Sequence, residues 1–338
     1  MRKDTHAPSI SGISCNQEWV SVVVPVYNRA SLLPRCLDSI FAQTHRPLHL
    51  IVVDNASTDD SAAVAREWIQ RHESPQFRCT LAQESRRGAA AARQHGLDLG
   101  DSEYVVFFDS DDAMRPHLVE SGLTALKAAN ADLAAWRHVR HEASGDVVSR
   151  PIGRNFLRRQ FFNSFLATPD YLVRTDFIRA AGGWNPSMHG WDDWELGIRL
   201  ILANPRIVVV DRINFDIYPQ RESITGENHW SKAEEWEQAL DMADKAIRSL
   251  ADRDPLAAAG KGKGVLKGFS ERRLHEMVDY RRAVLAAHYR REGHPELADR
   301  LMQATLQATT CTPRRRLLLR FIHAYTAAGL RAAYLLWH

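Results

Sequence analysis

Carboxylate side chains stand directly after two apolar runs in the N-terminal part of the sequence. Asp54 follows one run, and the cluster Asp109-Ser110-Asp111-Asp112 follows another. Carboxylates this close together raise one another's pKa unless a cation is present. Hard oxygen ligands of this kind suit Mg²⁺ or Mn²⁺ that bridges a diphosphate. The cluster therefore favours divalent-cation chemistry on a phosphorylated ligand.

The apolar runs alternate with helical patterns up to about residue 112. Predicted strands are Val20–Val26, Leu48–Val53, Phe77–Leu81 and Tyr104–Phe108, and predicted helices cover residues 30–43, 61–71 and 88–99. Near-continuous apolar strands separated by helices are typical of an α/β fold with a mostly parallel sheet covered on both faces. Ligands of such sheets bind beyond the carboxyl ends of the strands. The pattern therefore brings Asn28, Asp54 and Asp109 to one edge.

Composition excludes several classes of protein. The 338 residues are 45% hydrophobic and 25% charged with a formal charge of +3, which argues against disorder and against a nucleic-acid binder. The polar N-terminus does not resemble a signal peptide, and no run of about 18 apolar residues predicts a transmembrane helix. The four cysteines form no CxxC pair, so reduced thiols are expected. A cytoplasmic protein is the resulting expectation.

Several segments together resemble family 2 glycosyltransferases of the GT-A fold. The resemblance covers about residues 18–225, and its segments are Val22–Asn28, Ile51–Asp59, Gly88–Gly96, Phe107–Asp112, Gly182–Asn185 and Trp191–Leu196, followed by Arg199-Leu200. The family binds nucleotide-sugars in a Rossmann-type α/β domain. The resemblance implies the same donor class and fold here.

The resemblance also implies a donor site. Pro25 and Tyr27 would line the base pocket, with Tyr27 packing on the nucleobase. The Asp54 carboxylate would accept a hydrogen bond from a uracil-like ring. Arg93 would lie near the nucleotide, although a solvated or helix-pairing arginine is an equally simple interpretation.

The same resemblance assigns the reacting groups. Asp109 and Asp111 would form the DxD motif that holds the ribose and a Mg²⁺ or Mn²⁺ ion against the diphosphate, with Asp112 as an alternative ligand. Asp193 matches the general base, which would take a proton from an acceptor hydroxyl. Attack from the face opposite the diphosphate would invert the anomeric centre without a covalent intermediate.

Three tryptophans and one departure from the family pattern concern the acceptor side. Trp191 and Asp192 are predicted to bind the acceptor, whereas Trp194 fits a core position and Trp184 shares the same aromatic segment. Many family members carry a metal-binding His where this chain has Arg221. A guanidinium cannot ligate a cation, so either water completes the metal shell or His229 substitutes.

Beyond residue 229 the sequence predicts helices. The Gly260–Gly264 segment reads as a loop, and Arg281-Arg282 and Arg290-Arg291 read as solvated charges on a helical region. The last 26 residues contain five arginines and no acidic residue among Leu and aromatic side chains. Residues 313–338 therefore fit either an interfacial helix on an anionic membrane or a helix that docks on this chain or on a second subunit.

These interpretations combine into one prediction. Residues 1–17 form a tail, 18–228 a GT-A domain with a nucleotide-binding half (18–112) and an acceptor-binding half (113–228), and 229–338 a helical region. The expected activity is inverting transfer from a nucleotide-sugar, most simply a UDP-sugar, to a glycan or lipid-linked hydroxyl in cell-envelope glycan or glycoconjugate synthesis, in the cytoplasm or at the inner membrane face. An inactive sugar-nucleotide or glycan-binding module and a sugar-phosphate nucleotidyltransferase remain alternatives. The oligomeric state is not predicted.

Overall fold

A computed structural model describes residues 18–219, 233–308 and 312–330. The N-terminal part contains β1 (Val20–Val26), α1 (Leu33–Phe41), β2 (Leu48–Asp54), α2 (Ser61–His72), β3 (Phe77–Gln83), α3 (Ala89–Leu99) and β4 (Tyr104–Phe107). The middle contains β5 (Ala113–Met114), α4 (Leu118–Ala129), β6 (Leu133–Glu142), β7 (Gly145–Val148), α5 (Phe156–Asn163), β8 (Tyr171–Arg174), α6 (Thr175–Ala180), α7 (Asp192–Leu202) and β9 (Ile207–Ile217). The remainder contains α8 (Ala233–Arg248), α9 (Leu250–Arg253), α10 (Pro255–Ala258), α11 (Glu271–Arg291), α12 (Pro295–Gln307) and α13 (Pro313–Ala327).

The strands of the described residues form one nine-stranded sheet. Its order is β3-β2-β1-β4-β8-β6-β9-β5, and β7 pairs with β6. The first four strands in this order are parallel, as their apolar sequences predict, because helices cover both faces. Pairing of β8 with β4 and with β6 is antiparallel, while β6 and β9 are parallel. The predicted α/β class is therefore confirmed, with a parallel N-terminal half and a mixed second half.

Strand register places the carboxyl ends of β1, β2 and β4 together. Val26 lies opposite Asp54, and the Asn55 amide donates to the Val26 carbonyl at 2.7 Å. On the other side of β1, the Phe108 amide donates to the Val23 carbonyl at 2.9 Å. The polar residues that follow these strands consequently face one edge of the sheet, as the sequence predicts.

The C-terminal helices pack against the sheet domain rather than standing apart from it. Helix α7 contacts α8, and α11 contacts α5, α8, α12 and α13. One continuous hydrophobic cluster contains Val53 of β2, Trp194 of α7, Leu240 of α8 and Leu285 of α11. Burial of apolar surface therefore fixes α11 beside the helix that carries Asp193.

Helix α13 docks on α11 through one face. Leu319 and Ile322 are buried, and the Arg315 guanidinium donates to the Glu276 carboxylate at 2.8 Å. Docking on the same chain, one of the two interpretations of this segment, therefore describes the inner face of α13. Residues 331–338 lie outside the described residues. Within the described ranges, none of the helices has the length and apolar character needed to span a membrane.

Candidate active site

Asp54 ends β2 with a buried carboxylate at the edge of the sheet. Among the described residues its Oδ1 atom has no hydrogen-bond partner. Buried polar atoms are normally hydrogen-bonded, so an acceptor in this position is suited to a ligand that donates. Tyr27 follows β1 with 43% of its surface exposed, and Pro25 is buried within β1 opposite Val53. The three residues predicted for the base pocket thus lie at the ends of adjacent strands.

The neighbouring amide Asn55 shapes the loop that faces these residues. Its Nδ2 donates to the carbonyl groups of Glu84 and Arg86 at 3.0 and 2.7 Å, and its Oδ1 accepts from the Gly88 amide at 2.8 Å. Gly88 has a φ of +126°, and an added Cβ would lie 2.6 Å from the His189 ring. A side chain at Gly88 is therefore excluded, and the loop closes tightly onto the segment that precedes α7.

Asp109, Asp111 and Asp112 follow β4 and differ in their surroundings. Burial raises the pKa of Asp112 to about 8, with Asp109 and Asp111 adding to the increase, although the Tyr218 amide donates to Asp112 at 3.0 Å. The Asp111 carboxylate is one-fifth exposed and lies 3.4 Å from Nε of Arg29. Burial and the two neighbouring carboxylates therefore favour the protonated form of Asp112 at neutral pH.

Arg93 of α3 joins the two halves of the site. Its Nη2 donates to Asp109 and its Nη1 donates to Asp192, each at 2.8 Å. The guanidinium is buried and lies 4.8 Å from the centre of the Trp184 ring. The paired carboxylates raise its pKa further, although burial opposes them. Because Arg93 is buried and binds both carboxylates, it is neither solvated nor paired on the surface of its own helix. It links the end of β4 to the start of α7.

Asp193 lies in the first turn of α7, next to Asp192. Burial raises the pKa of Asp193 to about 7, Asp192 adds to the increase, and Arg93 opposes it. The Trp194 amide donates to its Oδ1 at 2.7 Å. A carboxylate that titrates near neutral pH can both take up and release a proton at that pH. This is the property that the predicted general base requires.

The three tryptophans have different environments. Trp184 and Trp194 are both 1% exposed, so the expectation of a core position for Trp194 is confirmed. The Trp191 ring is partly exposed and stacks on Trp236 of α8 with centroids 5.7 Å apart. Acceptor binding by Trp191 stays a prediction, and Asp192 is bound to Arg93 in this structure.

Arg281 is a site residue that the sequence pattern missed. Its guanidinium carbon lies 4.5 Å from the centre of the Trp191 ring and 5.3 Å from that of Trp194, the two residues that flank Asp192-Asp193. Burial lowers its pKa to about 10, and Tyr280 and Asp193 oppose the decrease. The interpretation of Arg281 and Arg282 as solvated charges was wrong. Arg282 pairs with Asp244 and Asp279, because helix α11 is packed on two sides.

Two further arginines beside the acidic cluster carried no sequence signal. Arg29 pairs with Asp111, and Arg35 donates to the Asp111 carbonyl while its guanidinium lies 3.9 Å from the Tyr218 ring centre. Arginine matches phosphate in geometry and charge. Arg221 and His229, the alternatives for the last metal position, lie outside the described residues.

The donor set of the acidic cluster fits a cation that keeps several non-protein ligands. In the described part of the chain, no group of three or more His, Cys, Asp or Glu side chains is arranged to hold a metal ion. Mg²⁺ typically binds through one or two carboxylates together with substrate phosphates and water. Asp109 and Asp111 supply two hard oxygen donors of that kind, beside the crowded carboxylate of Asp112.

Solved structures with the same architecture include complexes of two proteins with nucleotide-sugars. TarS 1–349 of S. aureus in complex with UDP-GlcNAc gives a TM-score of 0.59 at 16% identity, with 92% of both chains covered. Mannosyltransferase PcManGT from Pyrobaculum calidifontis in complex with GDP-Man and Mn²⁺ gives 0.51 at 18% identity, with 96% of this chain and 88% of PcManGT covered. At these identities the likeness concerns the fold, and it confirms the predicted GT-A architecture.

Sequence comparison finds similarity to known glycosyltransferases in the N-terminal part of the chain. Glycosyltransferase GlyG of Streptococcus pneumoniae is 29% identical over 168 residues, 49% of this chain and 52% of GlyG. The chain thus spans about half the length of GlyG, and the matched parts of three further relatives are 20% to 38% of their lengths. The family model described as "Glycosyl transferase family 2" matches residues 21–180. The N-terminal part of this chain is therefore similar to glycosyl transferase family 2 over residues 21–180.

Proposed function

We propose that this protein is an inverting glycosyltransferase that moves a sugar from a nucleotide-sugar, most simply a UDP-sugar, to a hydroxyl group of a glycan or lipid-linked acceptor. The observation that carries the proposal is the bridge from Asp109 through Arg93 to Asp192. It joins the carboxylate predicted for the donor diphosphate to the helix turn that holds Asp193. A donor and a base must be close for a single displacement.

Donor recognition rests on the strand ends. Asp54 offers a buried carboxylate oxygen without a partner among the described residues, and the exposed Tyr27 ring lies on the adjacent strand. Together they suit a nucleobase that donates a hydrogen bond and presents a ring face for stacking. The complex of TarS with UDP-GlcNAc, which shares the fold, supports a UDP-sugar as the first donor to test.

The second requirement is that the negative charge on the departing diphosphate is neutralised. We assign Asp109 and Asp111 as the residues that hold Mg²⁺ or Mn²⁺, a choice that the Mn²⁺ complex of PcManGT supports. When bound, such a cation neutralises the negative charge that develops on the leaving diphosphate. Arg29 and Arg35 place two guanidinium groups beside the cluster, where they can hydrogen-bond to phosphate oxygens.

The proton transfer is assigned to Asp193. Ionised above pH 7, its carboxylate takes the proton of the acceptor hydroxyl as that oxygen attacks the anomeric carbon. The bond from the anomeric carbon to the diphosphate oxygen breaks at the same time, and the electron pair leaves with the nucleotide. One displacement inverts the configuration at the anomeric carbon.

The wider role proposed is cell-envelope glycan or glycoconjugate synthesis, with the protein acting in the cytoplasm or on the inner face of the membrane. We assign acceptor binding to the partly exposed Trp191 and to Asp192, which lie beside Asp193 in sequence and at the start of α7.

The proposal is tested with a panel of UDP- and GDP-sugars. Free nucleotide release is measured with and without a membrane and polysaccharide extract from the source organism, and the transferred mass is read by mass spectrometry. Release that depends on the extract, with an inverted anomeric centre by NMR, is the expected result. Donor binding without release in any combination would instead identify a binding module.

A further inference from the structure

A cleft of about 450 Å³ lies between the N-terminal ends of α11 and α13, in the helical region of the chain. Its lining includes Arg272 and Arg273 from the first turn of α11 and Arg314 and Arg315 from the first turn of α13. Four guanidinium groups therefore converge from two helices that are sequentially remote. The volume is within the usual range for small-ligand sites.

Protein carboxylates neutralise these arginines only in part. Glu276 is buried and binds both Arg272, at 3.0 Å, and Arg315, at 2.8 Å. Arg273 contacts the Gly268 carbonyl at 3.5 Å, and neither Arg273 nor Arg314 forms an ion pair with a described residue. Two of the four guanidinium groups in the cleft thus lack an anionic partner within the described ranges.

Two further features add positive potential. Helices α11 and α13 have 21 and 15 residues, and both direct their N-terminal, positively polarised ends at the cleft. The loop before α11 carries Lys261, Lys263 and Lys267, all exposed. Backbone dipoles and side-chain charges therefore have the same sign, which favours an anion with several acceptor oxygens.

Large apolar side chains surround this basic region at the surface. Leu317 and Phe321 of α13 are 72% and 53% exposed, and Leu256 of α10, just before the cleft residue Gly260, is 63% exposed. Arginines next to exposed Leu and Phe side chains are typical of surfaces that enter the headgroup region of an anionic membrane. A soluble phosphate would account for the arginines but not for the exposed apolar residues.

We propose that the cleft between α11 and α13 binds the phosphate of an anionic phospholipid headgroup, while Leu317 and Phe321 enter the adjoining acyl boundary. The site is separate from the carboxylates assigned to catalysis. It does not depend on the proposed activity, and it attaches the helical region, not the sheet domain, to the lipid surface.

The test is co-sedimentation of the full chain with phosphatidylglycerol vesicles and with phosphatidylcholine vesicles. The variant Arg273→Gln/Arg314→Gln removes the two arginines that lack a carboxylate partner. A matched control, Arg248→Gln/Arg291→Gln, removes the same charge from exposed positions at the C-terminal ends of α8 and α11. Thermal melting of each variant establishes that it is folded.

We expect the wild type and the control variant to bind phosphatidylglycerol vesicles, and the cleft variant to bind at least about tenfold more weakly. Phe321→Ser is expected to weaken vesicle binding while leaving the effect of glycerol phosphate on the melting temperature unchanged. Equal binding by the cleft and control variants would overturn the proposal. The proposal would also be overturned if the cleft variant lost the effect of glycerol phosphate on its melting temperature but still bound phosphatidylglycerol vesicles like the wild type. The site would then hold a soluble phosphate.

Discussion

Arg93 donates to Asp109 through one amino group and to Asp192 through the other, at 2.8 Å in both cases. The two carboxylates belong to separate parts of the fold, the end of β4 and the start of α7. A single buried cation therefore sets the separation of the proposed donor and acceptor sides. Its removal would leave two carboxylates facing each other across a partly buried space.

Replacement of Arg93 is expected to reduce both stability and activity. Arg93→Met leaves Asp109 and Asp192 without their shared partner, and breaking a buried pair in this way costs about 3 kcal/mol. Urea unfolding measures the change in the free energy of unfolding. Arg66→Gln, at an exposed position of α2, is the control and is expected to change it by less than about 0.5 kcal/mol. Equal stability of both variants would show that the bridge contributes nothing.

Asp193 is expected to make stability depend on pH. Its pKa is about 7 in the folded state against 3.8 for an ordinary Asp, so the unfolded chain loses this proton first as pH rises. Stability from this group is therefore full below about pH 4 and is lost between pH 4 and pH 7. Asp193→Asn removes that loss, and its advantage over wild type is expected to grow to about 4 kcal/mol by pH 8.

Denaturant unfolding at pH 5 and pH 8 measures this dependence. Asp252→Asn, at an exposed position of α9, serves as the matched control with no pH-dependent difference from wild type. If the stability difference between Asp193→Asn and wild type were the same at both pH values, the raised pKa of Asp193 would be refuted.

Divalent cation is expected to stabilise the acidic cluster. Burial raises the pKa of Asp112 to about 8, and repulsion from Asp109 and Asp111 adds to the increase. Mn²⁺ binding to Asp109 and Asp111 would relieve that repulsion, so added Mn²⁺ should raise the melting temperature in the presence of UDP. Asp111→Asn should abolish this increase and lower activity by at least about tenfold. EDTA should have the same effect on the wild type. Full activity of Asp111→Asn in EDTA would show that the reaction does not need a divalent cation at this site.

Arg281 is expected to assist Asp193 from outside the sheet domain. Arg281→Met removes a positive charge that favours the ionised base, so the rising limb of the pH–rate profile should move to higher pH by about one unit. Arg281→Lys keeps the charge and should restore most of the limb. Arg291→Gln, exposed on the same helix, should leave it unchanged. A lower rate with an unmoved limb in Arg281→Met would indicate a purely structural role.

The sequence was most informative where local pattern and topology coincide. Apolar runs defined the first four strands within two residues at their ends, and parallel pairing then brought Asp54 and Asp109 to one edge. Arg93 was predicted to be a site residue through the family resemblance. Its bridge to Asp192, which lies 99 residues later in the sequence, depends on tertiary packing that the local pattern does not show.

The helical region limited prediction for a physical reason. Exposed and buried arginines on a helix look alike in sequence, since only the neighbouring element decides which face is covered. Arg281 lies against Trp191 because α11 packs on α8 and α5, whereas Arg291 at the end of the same helix is exposed. The acidic partners of Arg282 in α8 and α11 could not be selected from the many acidic residues available.

The role of Asp193 as the base of an acceptor-dependent sugar transfer is tested most directly by the pH–rate profile of nucleotide release for wild type and Asp193→Asn. We predict a rate for wild type that rises through about pH 7, and a rate for Asp193→Asn that is about 10²- to 10⁴-fold lower without that rise. Donor binding measured by calorimetry should be the same for both proteins. An Asp193→Asn variant that keeps the wild-type rate and profile would contradict the account.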